Sequence, residues 1–419
     1  MRVIVGPVFF YSPRPGCISV MCVFDSPGAA AGHLSDDAGG TRPLEAQIAE
    51  ARVPFTWRDV PVTMPAMHYA VFPCGARAEA RLATPTVSFF ISCNLLAAPR
   101  SLAAHAAAAV SARLDSGETP ILFHIGDQVY CDAACTSACA DPRAAKTLYR
   151  EEWLRAWTAP ANAALLARGV HMMVPDDHEV CDMSRFLSAR TCPPRSVVDA
   201  ALQVAGEFMP TATLPPADRL VSIAQGRVLV QTHRTYSVLD PARASFLGEK
   251  QEALLVDAAE TVRGVLIVAA PTAPVFFSPD LVRASLNAVV TESAFAWHAP
   301  QFIGSLAEFL AVLTERRPAN AKTFVVAGDM HTMAQTRIRN THNGAEIMQF
   351  VASGIANAAR KDSFYMQTLL MNSGRAIAQG KFTYDHLLVR PEINYLVYGP
   401  SGFAHVSMSD TGEISTTVC

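Results

Sequence analysis

Side chains that can bind metal ions follow directly after apolar runs at four places in the sequence. They are Cys93 after residues 86–91, Asp127 after 121–125, the group Asp176, Asp177, His178 and Glu179 after 171–174, and Asp329 with His331 after 323–327. Carboxylates, an imidazole and a thiolate suit a pair of metal ions, because one carboxylate can bridge both. Two ions about 4 Å apart polarise a phosphoryl group and generate hydroxide near neutral pH. The residue types therefore favour hydrolysis of a phosphate ester.

The four apolar runs predict buried strands, and two of them stop at a Gly-Asp pair, Gly126-Asp127 and Gly328-Asp329. A buried parallel strand delivers a polar side chain to its carboxyl end, which is where open α/β sheets bind ligands. We therefore expect the four strand ends to meet in one site.

The rest of the chain from about residue 85 alternates apolar strands with helical stretches. Residues 97–116 are rich in Ala, and residues 142–168 form an amphipathic pattern that Pro160 interrupts. This alternation predicts a layered α/β domain over residues 85–419.

Residues 1–84 predict a short β-rich N-terminal unit, beginning with two apolar strands within 1–26. Residues 28–40 are small, polar and rich in Gly, so we expect a surface loop there.

Composition excludes several classes of protein. Hydrophobic residues make up 50% of the 419 residues and charged residues 17%, so the chain can bury a large core. With a net charge of −3, the chain has no excess of basic residues that would favour binding to nucleic acid. No apolar run approaches the roughly 18 residues of a membrane helix. The N-terminal apolar run, broken by Gly6-Pro7, is too short for a signal peptide, so we expect an intracellular location.

The sequence also resembles a known family. The segments GDQVY (126–130), YREEWLRAWTAPANAALLARGVHMMVPDDHEV (149–180), LGEKQEALL (247–255) and VVAGDMHTMAQTRI (325–338) are similar to successive motifs of the PhoD-like metallophosphatases, also called alkaline phosphatase D. The similarity runs in order over residues 92–353. It implies a metallophosphoesterase fold, a β-sandwich core flanked by helices, and hydrolysis of small phosphate monoesters and, as a second class, diesters.

The resemblance also implies a ligand set for a dinuclear metal site. The ligands of the first ion, for which the family suggests iron, would be Cys93, Asp127, Tyr130 and His331. The second ion, calcium or another hard divalent metal, would bind Asp127, Asp177 and Asp329. A metal-bound hydroxide would attack phosphorus, with Asp127 bridging the ions and His178 as general acid or as a hydrogen-bond donor to the phosphoryl oxygens.

Other residues carry weaker expectations. Asp176 and Glu179 would orient His178 and the metal ligands. Asp240, Arg243, Trp297, His298 and Asn394 would contact substrate or support the site.

Each residue also has a structural alternative. Cys93 could be a buried apolar cysteine, Asp127 a helix cap, and Tyr130 or His331 a packed core residue. Asp177 and His178 could form a structural pair. For the whole protein, the alternatives are a catalytically silent phospho-ligand binding or scaffold protein that retains the fold, and a metalloenzyme that acts on a non-phosphate ester or amide.

Two features depart from the family. Residues 180–183 replace the usual Asp-Trp continuation, and the N-terminal unit is short with no twin-arginine signal. Cys131, Cys135 and Cys139 fit neither a zinc ribbon nor a thioredoxin motif, so we interpret them as thiols in an Ala-rich loop. Substrate choice, oligomeric state and the role of these cysteines stay open.

Overall fold

The computed structural model describes residues 1–92, 102–182, 193–210, 219–224, 226–231, 245–276, 297, 299–331, 333–352, 376–388, 404–408 and 414–418. Cys93, Asp240, Arg243, His298 and Asn394 lie outside these residues.

Among the described residues, eight strands form the first sheet. Numbered along the chain and given in spatial order, they are β20 (Ile414–Val418), β19 (Ala404–Met408), β8 (Val87–Ile91), β9 (Pro120–Ile125), β10 (Val170–Val174), β1 (Val3–Tyr11), β2 (Cys17–Phe24) and β5 (Pro54–Pro61). The central strands β8, β9 and β10 are parallel, and β1 pairs in parallel with β10.

A second sheet, also eight-stranded in the described part of the chain, packs against the first. Its order is β11 (Arg219–Ile223), β12 (Gly226–Val230), β13 (Val265–Thr272), β14 (Lys322–Gly328), β16 (Glu346–Ala352), β15 (Met333–Asn340), β18 (Phe382–Leu388) and β17 (Ala376–Gln379). Strands β12, β13, β14 and β16 are parallel. Each of the four apolar runs that carry the candidate ligands is therefore a strand, as the sequence predicts.

The helices, again numbered along the chain, are α1 (Ala103–Asp115), α2 (Asp132–Ala140), α3 (Ala145–Trp157), α4 (Pro160–Leu166), α5 (Arg195–Phe208), α6 (Glu249–Thr261) and α7 (Ile303–Ala311). A 3₁₀ turn, Pro142–Ala144, precedes α3, and a π-helical turn, Val312–Arg316, follows α7. None of the described helices is long and apolar enough to cross a membrane.

The layers follow from the face of each sheet on which the apolar side chains lie. Phe123 and Ile125 of β9 share one hydrophobic cluster with Ile267 and Val326 of the second sheet, so this cluster lies between the sheets. On the outer face of the first sheet, Leu122 packs with residues of α1. The outer face of the second sheet packs against α6 and α7. The order helix, sheet, sheet, helix confirms the layered α/β fold.

Residues 1–84 are rich in strands, as predicted, and they contact the core in two ways. Strands β1, β2 and β5 belong to the first sheet. Within the described residues 1–92, a third sheet has the order β4 (Thr41–Ile48), β3 (Gly28–Asp36), β6 (Ala66–Val71) and β7 (Arg77–Leu82). It packs against the outer face of β1 and β2 through a separate cluster.

Two predictions about local structure were wrong. Residues 28–36 form β3 instead of a loop, with Ala30 and Leu34 buried. A Cβ on Gly32 would lie 2.6 Å from the ring of Phe72, so close packing explains the small residues there. The second error concerns the cysteine cluster, because Cys135 and Cys139 lie in α2 and Cys131 directly precedes it.

Candidate metal centre

The carboxyl ends of β8, β9, β10 and β14 meet between the two sheets. A Cβ on Gly328 would lie 2.5 Å from Ser92 Oγ and 2.7 Å from the carbonyl oxygen of Ile125. A Cβ on Gly126 would lie 2.6 Å from the Cβ of Asp176. Both glycines are therefore needed, because a side chain at either position would push the strand ends apart.

Three candidate ligands have a left-handed backbone. The φ angles are 56° at Asp127, 66° at Asp329 and 49° at His331. In the described residues only Arg52 and Asp59 also have a positive φ without being glycine. This conformation costs free energy for most side chains and is concentrated at functional sites. Here the three residues with this conformation follow the ends of β9 and β14, at the junction of the sheets.

Four buried carboxylates come together at this junction. Asp127, Asp176, Asp177 and Asp329 each offer an oxygen, and these atoms all lie within 4.8 Å of one another. Asp127 and Asp177 form a second such group with a ring nitrogen of His178. Negative charges this close repel strongly away from water, and hard cations prefer such oxygen ligands. The donor set therefore fits bound metal ions.

Tyr130 and His331 border the same group. The Tyr130 hydroxyl donates to Asp127 Oδ2 at 3.3 Å and lies 3.0 Å from His331 Nε2. Its ring centroid is 4.2 Å from that of His178. The structure thus brings together every described residue of the implied ligand set.

Glu179 joins the ends of β9 and β10. Its buried carboxylate accepts the backbone N–H of Asp127 at 3.2 Å, that of Asp176 at 2.7 Å, and that of Gln128. Burial raises the pKa of Glu179 to about 7, although the three N–H donors oppose the rise. These bonds fix the backbone from which Asp127 and Asp176 extend.

His178 is held by Asp132, the first residue of α2. His178 Nδ1 lies 2.9 Å from Asp132 Oδ2, and Asp132 Oδ1 accepts the N–H of Asp182 at 2.7 Å. Burial lowers the pKa of His178, but the charges of Asp177 and Asp127 and the bond to Asp132 raise it more, to well above its usual value. Bound cations would offset the charges of Asp127 and Asp177 but not the contact with Asp132. The contact with Asp132 favours the protonated imidazole, which is the form that could give a proton to a leaving group.

Several sequence expectations need correction or addition. Trp297 does not line an open pocket, because its indole is fully buried and stacks on Phe246 at 4.1 Å. Asp127 does not cap α2, whose N-cap is Cys131. Asp176, expected to orient other residues, places its own carboxylate in the acidic group.

Sequence reasoning also missed two supporting side chains. Asp132 could have been found from the sequence, because it lies at the end of segment 121–132, which contains Gly126-Asp127, and a helix begins there. Ser92 Oγ accepts the N–H of Asp329 at 3.3 Å, a contact across two sheets that no local pattern indicates.

This architecture is similar to that of a solved structure, although the sequence alone has no match. No family model and no curated protein matches the sequence. Among solved structures, one described as "Structure of PhoD" matches with a TM-score of 0.63 at 12% identity, over 98% of this chain and 88% of that chain. GAP50, described as the anchor in the inner membrane complex of Plasmodium, matches with a TM-score of 0.33 at 8% identity, over 80% of this chain and 84% of that chain. The second score is too low to support an argument.

The fold is therefore a layered α/β fold, with an acidic cluster at its strand ends that could hold metal ions. More particularly, it is PhoD-like. At 12% identity this likeness establishes the fold alone.

Proposed function

We propose that this protein is a metal-dependent phosphoric ester hydrolase, acting on phosphate monoesters and, as a second class, diesters. The observation that carries the proposal is the group of four buried carboxylates at the strand ends of a PhoD-like fold. Buried like charges destabilise a fold unless cations or protons balance them, and bound cations are the balance that a hydrolase of this kind would use.

The proposal assigns the ligands as the family resemblance implies. One ion would be held by Asp127, Tyr130 and His331 with Cys93, and the other by Asp127, Asp177 and Asp329. Asp176 is added to the second set because its carboxylate lies in the same group. Such ions would polarise a phosphoryl group and make water nucleophilic near neutral pH.

The chain's own residues would then do three things. The carboxylates fix the cations, Glu179 fixes the backbone of Asp127 and Asp176, and Asp132 orients the ring of His178. The protonated imidazole donates its proton to the leaving alkoxide, so the leaving group departs as a neutral alcohol.

A turnover assay on a chromogenic phosphate monoester and diester tests the activity. We expect His178→Ala to retain its metal content and to lose about 10²- to 10⁴-fold in kcat. His33→Ala removes an exposed histidine on β3 and serves as the control. Full activity of a metal-free preparation, or binding of phosphate with no turnover, would overturn the proposal.

The colour of the protein tests the identity of the first ion. A phenolate and a thiolate favour ferric iron, whereas all-oxygen sites suit calcium. We expect a visible absorption band that weakens or shifts in Tyr130→Phe. A colourless protein with a full complement of metal, established by elemental analysis, would exclude iron.

A further inference from the structure

A cavity of about 270 Å³ lies at the amino ends of β9 and β10. Its lining includes Pro120 and Ile121, where β9 begins, and Val170, where β10 begins. The carboxylates of the candidate metal centre follow the opposite ends of the same strands. Because a strand rises about 3.3 Å per residue, β9 separates the two places by about 16 Å. A ligand in this cavity would therefore not touch the candidate metal ligands.

The walls of the cavity are joined by hydrogen bonds within the chain. On one side is the turn between β1 and β2, where the carbonyl oxygen of Gly16 accepts the N–H of Val62 at 2.9 Å. On another side is the segment between β7 and β8, where the carbonyl oxygen of Pro85 accepts the N–H of Ala224 at 3.0 Å. Because the fold itself fixes these walls, binding a ligand would order little of the chain.

The lining is largely apolar, and its charged side chains are both arginines. Ile18, Leu82 and Ile121 are buried apolar residues of the wall, and Arg14 and Arg81 supply the charge. None of the described residues that line the cavity is Asp or Glu. Apolar walls with a few convergent polar groups are typical of small-molecule sites. This lining predicts a ligand with an apolar body and an anionic head.

The guanidinium of Arg81 has a donor that a bound anion would satisfy. Arg81 is half-buried on β7, and its Nε is buried without a hydrogen-bond partner. A buried donor without an acceptor costs free energy. The planar guanidinium presents its N–H groups as a fork that matches the two oxygens of a carboxylate. A carboxylate at Arg81 would therefore supply the missing acceptor.

Charge distinguishes a carboxylate from a phosphate monoester at this site. Asp59 accepts a hydrogen bond from the hydroxyl of Ser12, a lining residue, at 2.5 Å, so one negative charge lies next to the wall. The charges of Arg14, Arg81 and Asp59 together leave one positive charge. A carboxylate has a charge of about −1 at neutral pH, whereas a phosphate monoester has about −1.5 to −2. The balance favours the carboxylate.

We propose that this cavity binds a small organic monocarboxylate, with its head at Arg81 and Arg14 and its apolar body against the buried wall. At roughly 30 Å³ for each small group, a volume of about 270 Å³ has room for about nine non-hydrogen atoms, which is the size of heptanoate. The proposal does not depend on the proposed function, because the cavity shares no residue with the metal centre.

Calorimetric titration of the full-length, metal-loaded protein with heptanoate tests the site. Heptanamide, its uncharged analogue, should bind about tenfold or more weakly, because it cannot form a charge-assisted pair with Arg81. Each methylene removed from the acid should weaken binding about fourfold. No binding of heptanoate, or equal binding of heptanoate and acetate, would overturn the proposal.

Substitution of the two arginines tests where heptanoate binds. Arg81→Met and Arg14→Met should each weaken binding about tenfold or more. Arg77→Met is the matched control, because Arg77 is an exposed residue of the same strand that does not line the cavity. Arg14 is exposed in a turn, so Arg14→Met decides the question if circular dichroism shows that Arg81→Met does not fold. Unchanged affinity in a folded Arg14→Met and Arg81→Met would contradict the assignment.

The metal centre needs its own control, since carboxylates also bind cations. Asp127→Asn, which should weaken metal binding, should keep the affinity for heptanoate. Loss of binding in Asp127→Asn with unchanged binding in Arg81→Met would place heptanoate on the metal ions and overturn the proposal. These titrations need no ester turnover, so failure of the hydrolase assay and failure of this proposal are separate results.

Discussion

Asp127 and Asp329 both follow a glycine at the end of a parallel strand, and both have a positive φ. They differ in what holds them. Glu179 accepts the N–H of Asp127 and of Gln128, and the Gln128 side chain contacts His124 of β9 at 3.0 Å. The N–H of Asp329 donates to Ser92 Oγ at 3.3 Å.

The two aspartates also differ in what they reach. Asp127 belongs to both groups of ligand atoms, whereas Asp329 belongs to one. We call Gly126-Asp127 the first corner and Gly328-Asp329 the second corner. The first corner serves both groups of ligand atoms and is also fixed by a buried carboxylate, so its position is the more closely constrained of the two.

The largest expected effect is that of removing the charge at each corner. Asp127→Asn should lower kcat/KM by about 10³-fold or more, because several kcal/mol of cation stabilisation are lost at both proposed metal sites and about 1.4 kcal/mol corresponds to tenfold. Asp329→Asn should cost about 10²-fold and retain part of the metal. Kinetics and elemental analysis of the two purified variants measure this. Equal losses of rate and metal would remove the asymmetry.

A smaller effect is expected from the residues behind each corner. Glu179→Gln turns an amide N–H toward backbone donors, so it should lower metal affinity and turnover by about 10- to 100-fold. Ser92→Ala removes one hydrogen bond of about 0.5–1.5 kcal/mol and should cost about tenfold or less. Titration of each variant with metal compares them. A larger loss in Ser92→Ala would mean that the second corner is the more constrained.

Acid should lower the free energy of unfolding through two buried histidines near the first corner, His124 on β9 and His171 on β10. Burial, with His171, lowers the pKa of His124 well below its usual value, and burial lowers that of His171 to about 3. Both pKa values are depressed on folding, so the contribution of each histidine is full above about pH 6.5 and is lost as the pH falls below that, for His171 down to about 3. Each histidine should reduce the free energy of unfolding by about 1.4 kcal/mol per pH unit in that window.

Urea unfolding between pH 7 and pH 5 measures this dependence. His171→Gln should give a shallower slope than the wild type, whereas His105→Gln, at an exposed position on α1, should not change it. An unaltered slope in His171→Gln would contradict the account.

Sequence alone predicted the parts of the site that a single segment determines. Each ligand strand is a continuous apolar run with a sharp polar end, so both its type and the direction of its ligands could be inferred. The layered fold followed from the alternation of such strands with helices. The coming together of Asp127, Asp177 and Asp329 depends on pairing between distant strands. The position of ligands at the carboxyl ends of buried strands indicated it, and so, separately, did the family resemblance.

Other parts could not be predicted because they depend on tertiary contacts. Residues 28–36 look like a loop by composition, yet Gly32 is small because Phe72 packs over it. Trp297 lies in a stretch that ends at Pro300 and is expected from the sequence to contact substrate or support the site, yet it fills the core under α7. Asp176 and Asp177 are adjacent and cannot be ranked as ligands until the chain direction after β10 is known.

The place of β8 in the first sheet has a consequence for biosynthesis. One neighbour of β8 is β9, which follows soon after it, but the other is β19 (Ala404–Met408), which a ribosome makes long after β8 and β9. Until then β8 has an open, apolar edge that can pair with other chains. Nascent chains stalled before residue 404 should therefore aggregate or recruit chaperones, even though every residue assigned to the metal centre has already emerged.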